Sequence, residues 1–136
     1  MTMPYIIPTK EQFRALRAMD QNIGPIEMIN LLAYREEAVY PEGSTDEPCS
    51  GKDAYKRYMQ TVQPFLEKVG GELVWQGSPK LMVIGPDDKD WDKAMIVRYP
   101  SIERFVAMNM DPGYIEIARH RTAALRDSRL IMTTAE

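Results

Sequence analysis

The sequence contains one cysteine and one histidine, and this scarcity excludes several kinds of site. A lone Cys49 allows no intrachain disulfide and suits a reducing compartment. Its neighbours, Pro48, Ser50 and Gly51, are typical of a loop, so we do not expect a nucleophilic thiol. No His-x-x-x-His or Cys-x-x-Cys spacing occurs, and we therefore expect no metal site.

The sequence also lacks an excess of basic residues and a long apolar run. The 17 Lys and Arg against 20 Asp and Glu give a formal charge of -3, and the basic residues are scattered, so we expect no nucleic-acid partner. No apolar run approaches the ~20 residues of a membrane-spanning helix, and residues 1–9 lack a secretion-signal pattern. We expect a cytoplasmic protein without a membrane partner. No glycine-rich phosphate loop appears, and no cofactor is expected.

What the sequence does contain is enough apolar material for one domain of 136 residues, with 44% hydrophobic positions. Thr9, followed by Glu11 and Gln12, indicates a short leading helix within an extension over residues 1–24. Gly24-Pro25 ends it. The main domain is predicted over residues 26–133, and residues 35–51 have the composition of a long loop.

The order of predicted elements in that domain is β-α-β-β-α-β. The second helix of the chain is expected from Lys52, with an apolar stripe that includes Tyr55, Tyr58 and Val62. Ser101 is expected to cap a later helix, which restarts at Asp111-Pro112. The strands are predicted at Ile26–Tyr34, Glu72–Gln76, Leu81–Ile84, Ala94–Tyr99 and Arg129–Thr133. Glu72–Gln76 and Leu81–Ile84 are either one interrupted strand or two short ones.

This order predicts the α+β class and the ferredoxin-like antiparallel sheet, with helices on one face only. Apolar residues stand at consecutive strand positions in Met95-Ile96-Val97 and Leu130-Ile131-Met132. Consecutive residues point to opposite faces of the sheet, so both faces should be buried away from water. Packing against a second copy of the chain would bury the open face, and we expect a homodimer. The alternative is that the leading helix or the long loops cover it.

Several short motifs, in order, resemble a known family. They are Gly70-Gly71 after a Tyr-bearing helix, Tyr99-Pro100-Ser101 at a strand end, Pro112-x-Tyr114, Arg121 and Asp127-Ser128-Arg129-Leu130. Over roughly residues 26–133 the chain resembles the domain-of-unknown-function family 1330 (DUF1330). The resemblance implies the dimeric α+β barrel fold, and it carries the family's recurring tyrosine and arginine over to Tyr114 and Arg121.

Arg121 is the polar group that we predict at a site, because helical spacing places it with Tyr114 on the side facing the sheet. Its guanidinium suits a carboxylate or enolate. The alternative is a fixed contact with Asp92, Asp127 or a main-chain carbonyl. His120 is the natural general acid or base, but the same spacing turns it toward solvent, a neighbouring loop or the partner.

Other residues are candidates for the wall of a pocket between helices and sheet. Asn30 and Tyr34 share one face of the first strand, while the alternative for Asn30 is a bond to the opposite protomer or to buried water. Trp75, Trp91 and Arg98 are pocket candidates too, with core or dimer packing as the alternative. These residues predict a site for a small organic acid or aromatic ligand, in a cofactor-free isomerase or monooxygenase or in a non-catalytic binding protein. The alternative is a purely structural dimer.

Overall fold

The computed structural model describes residues 5–88 and 90–136. A leading helix, α1, is followed by four strands and three further helices. The longest helix, α2, is amphipathic, and in the ranges described no helix has the length and apolarity of a transmembrane span. The elements are α1 Lys10–Ala18, β1 Ile26–Tyr34, α2 Gly51–Lys68, β2 Glu72–Gly77, β3 Lys93–Tyr99, α3 Ile102–Met110, α4 Pro112–Ala124 and β4 Leu125–Thr133.

The four strands form one antiparallel sheet in the order β2-β3-β1-β4. β1 lies at its centre, where Asn30 is opposite Met95 on β3 and Leu130 on β4. β2 and β3 are adjacent antiparallel neighbours, whereas α2 connects β1 to β2 across β3, and α3 and α4 connect β3 to β4 across β1. This is the order of the split βαβ motif. The predicted ferredoxin-like α+β fold and its leading helix are confirmed.

The helices bury one face of this sheet. Successive strand residues point to opposite faces, so even-numbered residues of β1, from Ile26 to Leu32, lie in the core. Complete burial of a side chain such as Leu32 contributes about 2 kcal/mol. α2 packs its predicted apolar stripe against this layer, with Tyr55, Tyr58 and Val62 all buried. The stripe at helical spacing is therefore the inner face of α2.

Local sequence fixes where the helices begin. Thr9 and Gln12 form a capping box on α1, and the Ser50 side chain accepts a hydrogen bond from Asp53 N at the start of α2. Ser101 caps α3 as predicted, and Asp111 caps α4 ahead of Pro112. These caps satisfy main-chain N–H groups that have no partner within the helix.

One predicted strand and one predicted strand boundary are wrong. Leu81–Ile84 forms no strand, and Leu81, Val83 and Ile84 are 80%, 82% and 92% exposed. β2 ends at Gly77, opposite Ala94, so the apolar run follows after the chain has left the sheet. β4 begins at Leu125 rather than Arg129, because Leu125 is fully buried as the first strand residue and pairs with Tyr34.

The opposite, outer face of the sheet is apolar at its centre, and no helix of residues 5–88 and 90–136 packs over it. It carries residues that alternate with the buried set, and Trp75 and Ile131 are 54% and 49% exposed. α1 does not cover this face, because Phe13 and Leu16 point to a cavity on the helical side. The loop between β1 and α2 contacts α2 and α4 instead. We call Ile29, Leu31, Trp75, Ile96 and Ile131 the outer face.

Candidate functional site

A cavity of about 550 Å³ lies between the helices and the inner face of the sheet. Its floor is mainly apolar and comes from all four strands, because the inward residues of each strand are Val, Leu and Met in this region. α2, α3 and α4 supply the walls. The floor includes Met28, Leu73, Met95, Val97 and Met132, and the walls include Tyr55, Tyr58, Phe105, Met108 and Tyr114.

The N-terminal segment, residues 5–8, closes one side of this cavity. The Arg121 Nη1 donates a hydrogen bond of 2.6 Å to the Ile6 carbonyl oxygen, and the Ser128 hydroxyl donates to the Tyr5 carbonyl oxygen. The Arg129 guanidinium lies 4.7 Å from the centre of the Tyr5 ring. The predicted extension is therefore part of the cavity wall.

Arg121 is in the cavity wall, partly buried, and has no carboxylate partner among the residues described. Of the three contacts weighed from the sequence, only the main-chain carbonyl is found. The Asp92 carboxylate accepts from Tyr34 N at 2.7 Å, and Asp127 lies 2.7 Å from Arg129 Nη1. One neutral carbonyl leaves the charge of the guanidinium uncompensated, although a buried charge favours an anionic neighbour.

Four tyrosines surround the polar end of the cavity, and two of their hydroxyls are paired. The Tyr58 and Tyr114 hydroxyl oxygens are 2.8 Å apart. The Tyr55 hydroxyl is buried and has no hydrogen-bond partner in the part of the chain that the structure describes. Burial raises the pKa of Tyr55, Tyr58 and Tyr99, while the charge of Arg121 acts in the opposite direction. The hydroxyls of Tyr55, Tyr58 and Tyr99 therefore stay protonated at neutral pH and can donate.

Asn30 is the polar residue of the cavity floor and is 6% exposed. Its Nδ2 donates to the Met28 carbonyl oxygen at 3.2 Å. Its side-chain oxygen accepts no hydrogen bond within residues 5–88 and 90–136, and so it faces the cavity as an acceptor. The structure thus brings three of the predicted site residues, Arg121, Tyr114 and Asn30, to one cavity.

Four other predicted residues are not in the cavity lining. Tyr34 packs behind it, with its ring 5.6 Å from that of Tyr55. Trp91 lies behind Arg129, whose guanidinium is 5.4 Å from its ring. Arg98 is on the outer face because its strand parity is opposite to that of Val97. Trp75 is on that face because a register shift after Leu73 places it opposite Ile96. There Arg98 pairs with Glu27 at 3.3 Å and Glu72 at 2.8 Å.

His120 is buried outside the cavity by the loop between β1 and α2, one of the three environments considered for it. Its Nδ1 is 2.7 Å from the Tyr40 hydroxyl. The Arg57 Nη1 donates to that hydroxyl oxygen at 3.2 Å, so the Tyr40 proton is free to point to Nδ1. Burial lowers the pKa of His120, and the charge of Arg119 lowers it further. This places a neutral imidazole in a contact between loop and helix.

Two groups of cavity residues were missed from the sequence. The spacing of Tyr55 and Tyr58 predicts only a helix stripe, although a tyrosine at a core position carries a polar group that must be accommodated. Ser128 and residues 5–8 meet through contacts between opposite ends of the chain, which no local pattern signals. Among the residues described, no three His, Cys, Asp or Glu side chains cluster as metal ligands.

Fold and cavity together define a ferredoxin-like α+β protein with an internal apolar site. The family model for the domain of unknown function DUF1330 matches residues 49–135. Two crystal structures of a protein of unknown function from Rhodopseudomonas palustris, one of them methylated, are 43% and 44% identical to the chain. They cover 98% and 99% of this chain and 98% and 97% of that one, with TM-scores of 0.90 and 0.91. The chain belongs to the DUF1330 family, as the sequence motifs predicted.

More distant structures share the fold alone. A dimeric protein of unknown function with a ferredoxin-like fold from Bacteroides fragilis is 9% identical, over 82% of this chain and 96% of that one, with a TM-score of 0.51. SnoaB, a cofactor-independent oxygenase from Streptomyces nogalater, is 16% identical over 83% and 94%, also with a TM-score of 0.51. No curated protein matches the chain.

Proposed function

We propose that this protein is a homodimeric small-molecule-binding protein whose ligand, a small organic acid or aromatic compound, occupies the cavity between helices and sheet. The observation that carries the proposal is Arg121: a partly buried cation in an apolar cavity, without a described carboxylate partner. Such a guanidinium offers several N–H donors to two oxygen atoms at once. Tyr114 and Asn30 would border the same ligand.

Binding without turnover is the form of this function that the cavity lining favours. No Asp, Glu, His, Lys or Cys is among the described lining residues, and burial keeps the hydroxyls of Tyr55, Tyr58 and Tyr99 protonated by raising their pKa. A general base that works near neutral pH is therefore absent from that lining. His120, the candidate proton carrier, is engaged with Tyr40 outside it.

A cofactor-free isomerase or monooxygenase is the second candidate. Its supporting observation is the same Arg121, because a fixed positive charge in a water-poor site stabilises an enolate oxygen. The ligand itself would then have to be acidic enough to ionise without a strong base. The structural alternative, a dimer whose polar residues only specify assembly, gives Arg121 no ligand.

The test is native mass spectrometry of freshly purified protein, followed by denaturation and analysis of released small molecules. We expect a released organic anion from the wild type and about tenfold less from Arg121→Met, since the loss of a charged hydrogen bond weakens binding by roughly 1.5–3 kcal/mol. Arg104→Met, an exposed substitution on α3, is the control. Conversion of the released compound on incubation with wild-type protein in air would identify an enzyme. Equal release from both variants would contradict the role of Arg121.

A further inference from the structure

The Tyr55 hydroxyl is the one buried side-chain polar atom, among the described residues, that has no hydrogen-bond partner. Tyr55 is 1% exposed and lies on α2, in the wall of the cavity. A phenylalanine would fill the same space without leaving a hydroxyl unsatisfied, because the hydroxyl loses its hydration on burial. An orphan donor at a cavity wall indicates a partner that arrives with a ligand.

Arg121 lies beside this hydroxyl. Its positive charge and, to a smaller extent, the approach of its N–H donors to the phenol oxygen lower the pKa of Tyr55, against the larger effect of burial, which raises it. Both groups are donors: the guanidinium has no acceptor atom, and the protonated phenol has its proton to give. Two adjacent donors and no described carboxylate fit an anionic oxygen.

The charge of the lining limits the ligand to one negative group. Arg129 is the other cation among the described lining residues, and Asp127, 2.7 Å away, already neutralises it. A second carboxylate on the ligand would therefore be buried against apolar side chains without a counter-charge. The rest of the lining offers packing surface, chiefly Met28, Leu73, Met95, Val97, Phe105 and Met108.

We propose that the ligand is an organic monoanion with an apolar body, and that its charged oxygen lies between the Tyr55 hydroxyl and the Arg121 guanidinium. This rests on the small-molecule function proposed above. It adds Tyr55 as a residue that recognises the ligand, and it limits the ligand to a single negative charge. Carboxylate, enolate and phenolate ligands share this chemistry. The cavity of about 550 Å³ has room for a body of two or three fused rings.

The probes are 2-naphthoate, its neutral counterpart 2-naphthamide, and naphthalene-2,6-dicarboxylate, measured by calorimetry on the intact protein at about pH 7.5. We expect the monoanion to bind at least about tenfold more tightly than either of the others. Tyr55→Phe should weaken 2-naphthoate about tenfold without affecting 2-naphthamide. Arg121→Met should make the acid and the amide bind equally.

Thermal unfolding supplies a readout that a purely structural tyrosine would not give. Tyr55→Phe should raise the Tm of the ligand-free protein, because it removes an unsatisfied buried hydroxyl. The matched control is Tyr40→Phe: the Tyr40 hydroxyl is bonded to His120 and Arg57 outside the cavity. That variant should lower the Tm and bind 2-naphthoate like the wild type.

The outcomes separate this inference from the proposed function. Equal binding of acid and amide to the wild type would overturn the monoanion rule while leaving a small-molecule cavity. A lower Tm for Tyr55→Phe with unchanged affinity would show that Tyr55 is only part of the core. Failure of all three probes to bind would count against the proposed function as well.

Discussion

His120 is the only histidine of the chain, and its contacts explain why it is buried without joining the cavity. It lies on α4 one position before Arg121, so the two side chains leave the helix about 100° apart. Arg121 points to the cavity, and His120 points to the loop that carries Tyr40. Adjacent residues on a helix thus serve different surfaces, and helical spacing was sufficient to predict this separation.

Acidification through the range of histidine titration should destabilise the protein. The folded-state pKa of His120 lies below the unfolded value of about 6.5, so the unfolded chain takes up the proton first. The contribution of neutral His120 is complete above about pH 6.5 and is lost as the pH falls toward the folded pKa. Arg119 and Arg57 oppose protonation, and Asp46 and Glu116 favour it to a smaller extent than burial disfavours it.

We therefore expect the Tm to fall between about pH 7.5 and pH 5.5, and His120→Asn should lose most of this dependence. Asparagine retains an oxygen that can accept the Tyr40 proton in place of Nδ1. Differential scanning calorimetry on both proteins measures the effect. The same slope in both would assign the dependence to other groups.

Which site residues were predictable depends on how local their geometry is. Arg121 and Asn30 follow from helix spacing and strand alternation. Arg98 has the opposite parity from buried Val97, so alternation alone places it on the outer face. The unpaired state of the Tyr55 hydroxyl is different in kind, because it depends on all the described elements around it, none of which supplies a hydrogen-bond partner. No sequence pattern encodes such an absence.

Elements were predictable where local and tertiary preferences agree. β1 has the predicted bounds, and Ser101 caps α3 as expected. The apolar run Leu81–Ile84 has strand-like composition, but among the described residues it pairs with no strand, and Leu81, Val83 and Ile84 are exposed. The predicted start of β4 was wrong for another reason, because Leu125 fits the apolar side of a helix and the inner face of a strand equally well.

Gly51 shows the tightest junction between elements. A β-carbon there would lie 2.1 Å from the Arg35 carbonyl oxygen and 2.7 Å from that of Ala124. Both are main-chain atoms, and the hydrogen bond from Arg35 N to the Ala124 carbonyl oxygen ties the two residues together, so these atoms cannot move independently. Gly51→Ala should destabilise the protein by about 3 kcal/mol or more.

Chemical denaturation of Gly51→Ala and of Lys52→Ala provides the measurement. Lys52 is the next residue of α2 and is exposed, so its substitution should change the free energy of unfolding by less than about 0.5 kcal/mol. A similarly small loss for Gly51→Ala would mean that the ends of β1 and α4 separate easily.

In a single chain, one of the two apolar faces of the sheet stays uncovered. The inner face of the sheet is buried by helices, whereas the outer face holds Ile29, Leu31 and Ile96 at the centre and exposed Trp75 and Ile131 at its sides. The proposed homodimer would bury two such faces against each other, in a barrel-type packing of sheet on sheet. Arg98 with Glu27 and Glu72 would lie at the rim.

Ile131→Lys tests this assembly, because it places a charge where the second sheet would lie. Ile131 is opposite Ile29, and an unpaired buried lysine costs several kcal/mol, so the dimer should dissociate at micromolar concentration. Ile115→Lys is the matched control: Ile115 is 59% exposed on α4, in the helical layer, and its substitution should leave the dimer intact. Light scattering after size exclusion gives the mass of each variant. If Ile115→Lys dissociates the dimer and Ile131→Lys does not, the chains associate through their helices, and the outer face must be buried by a different partner.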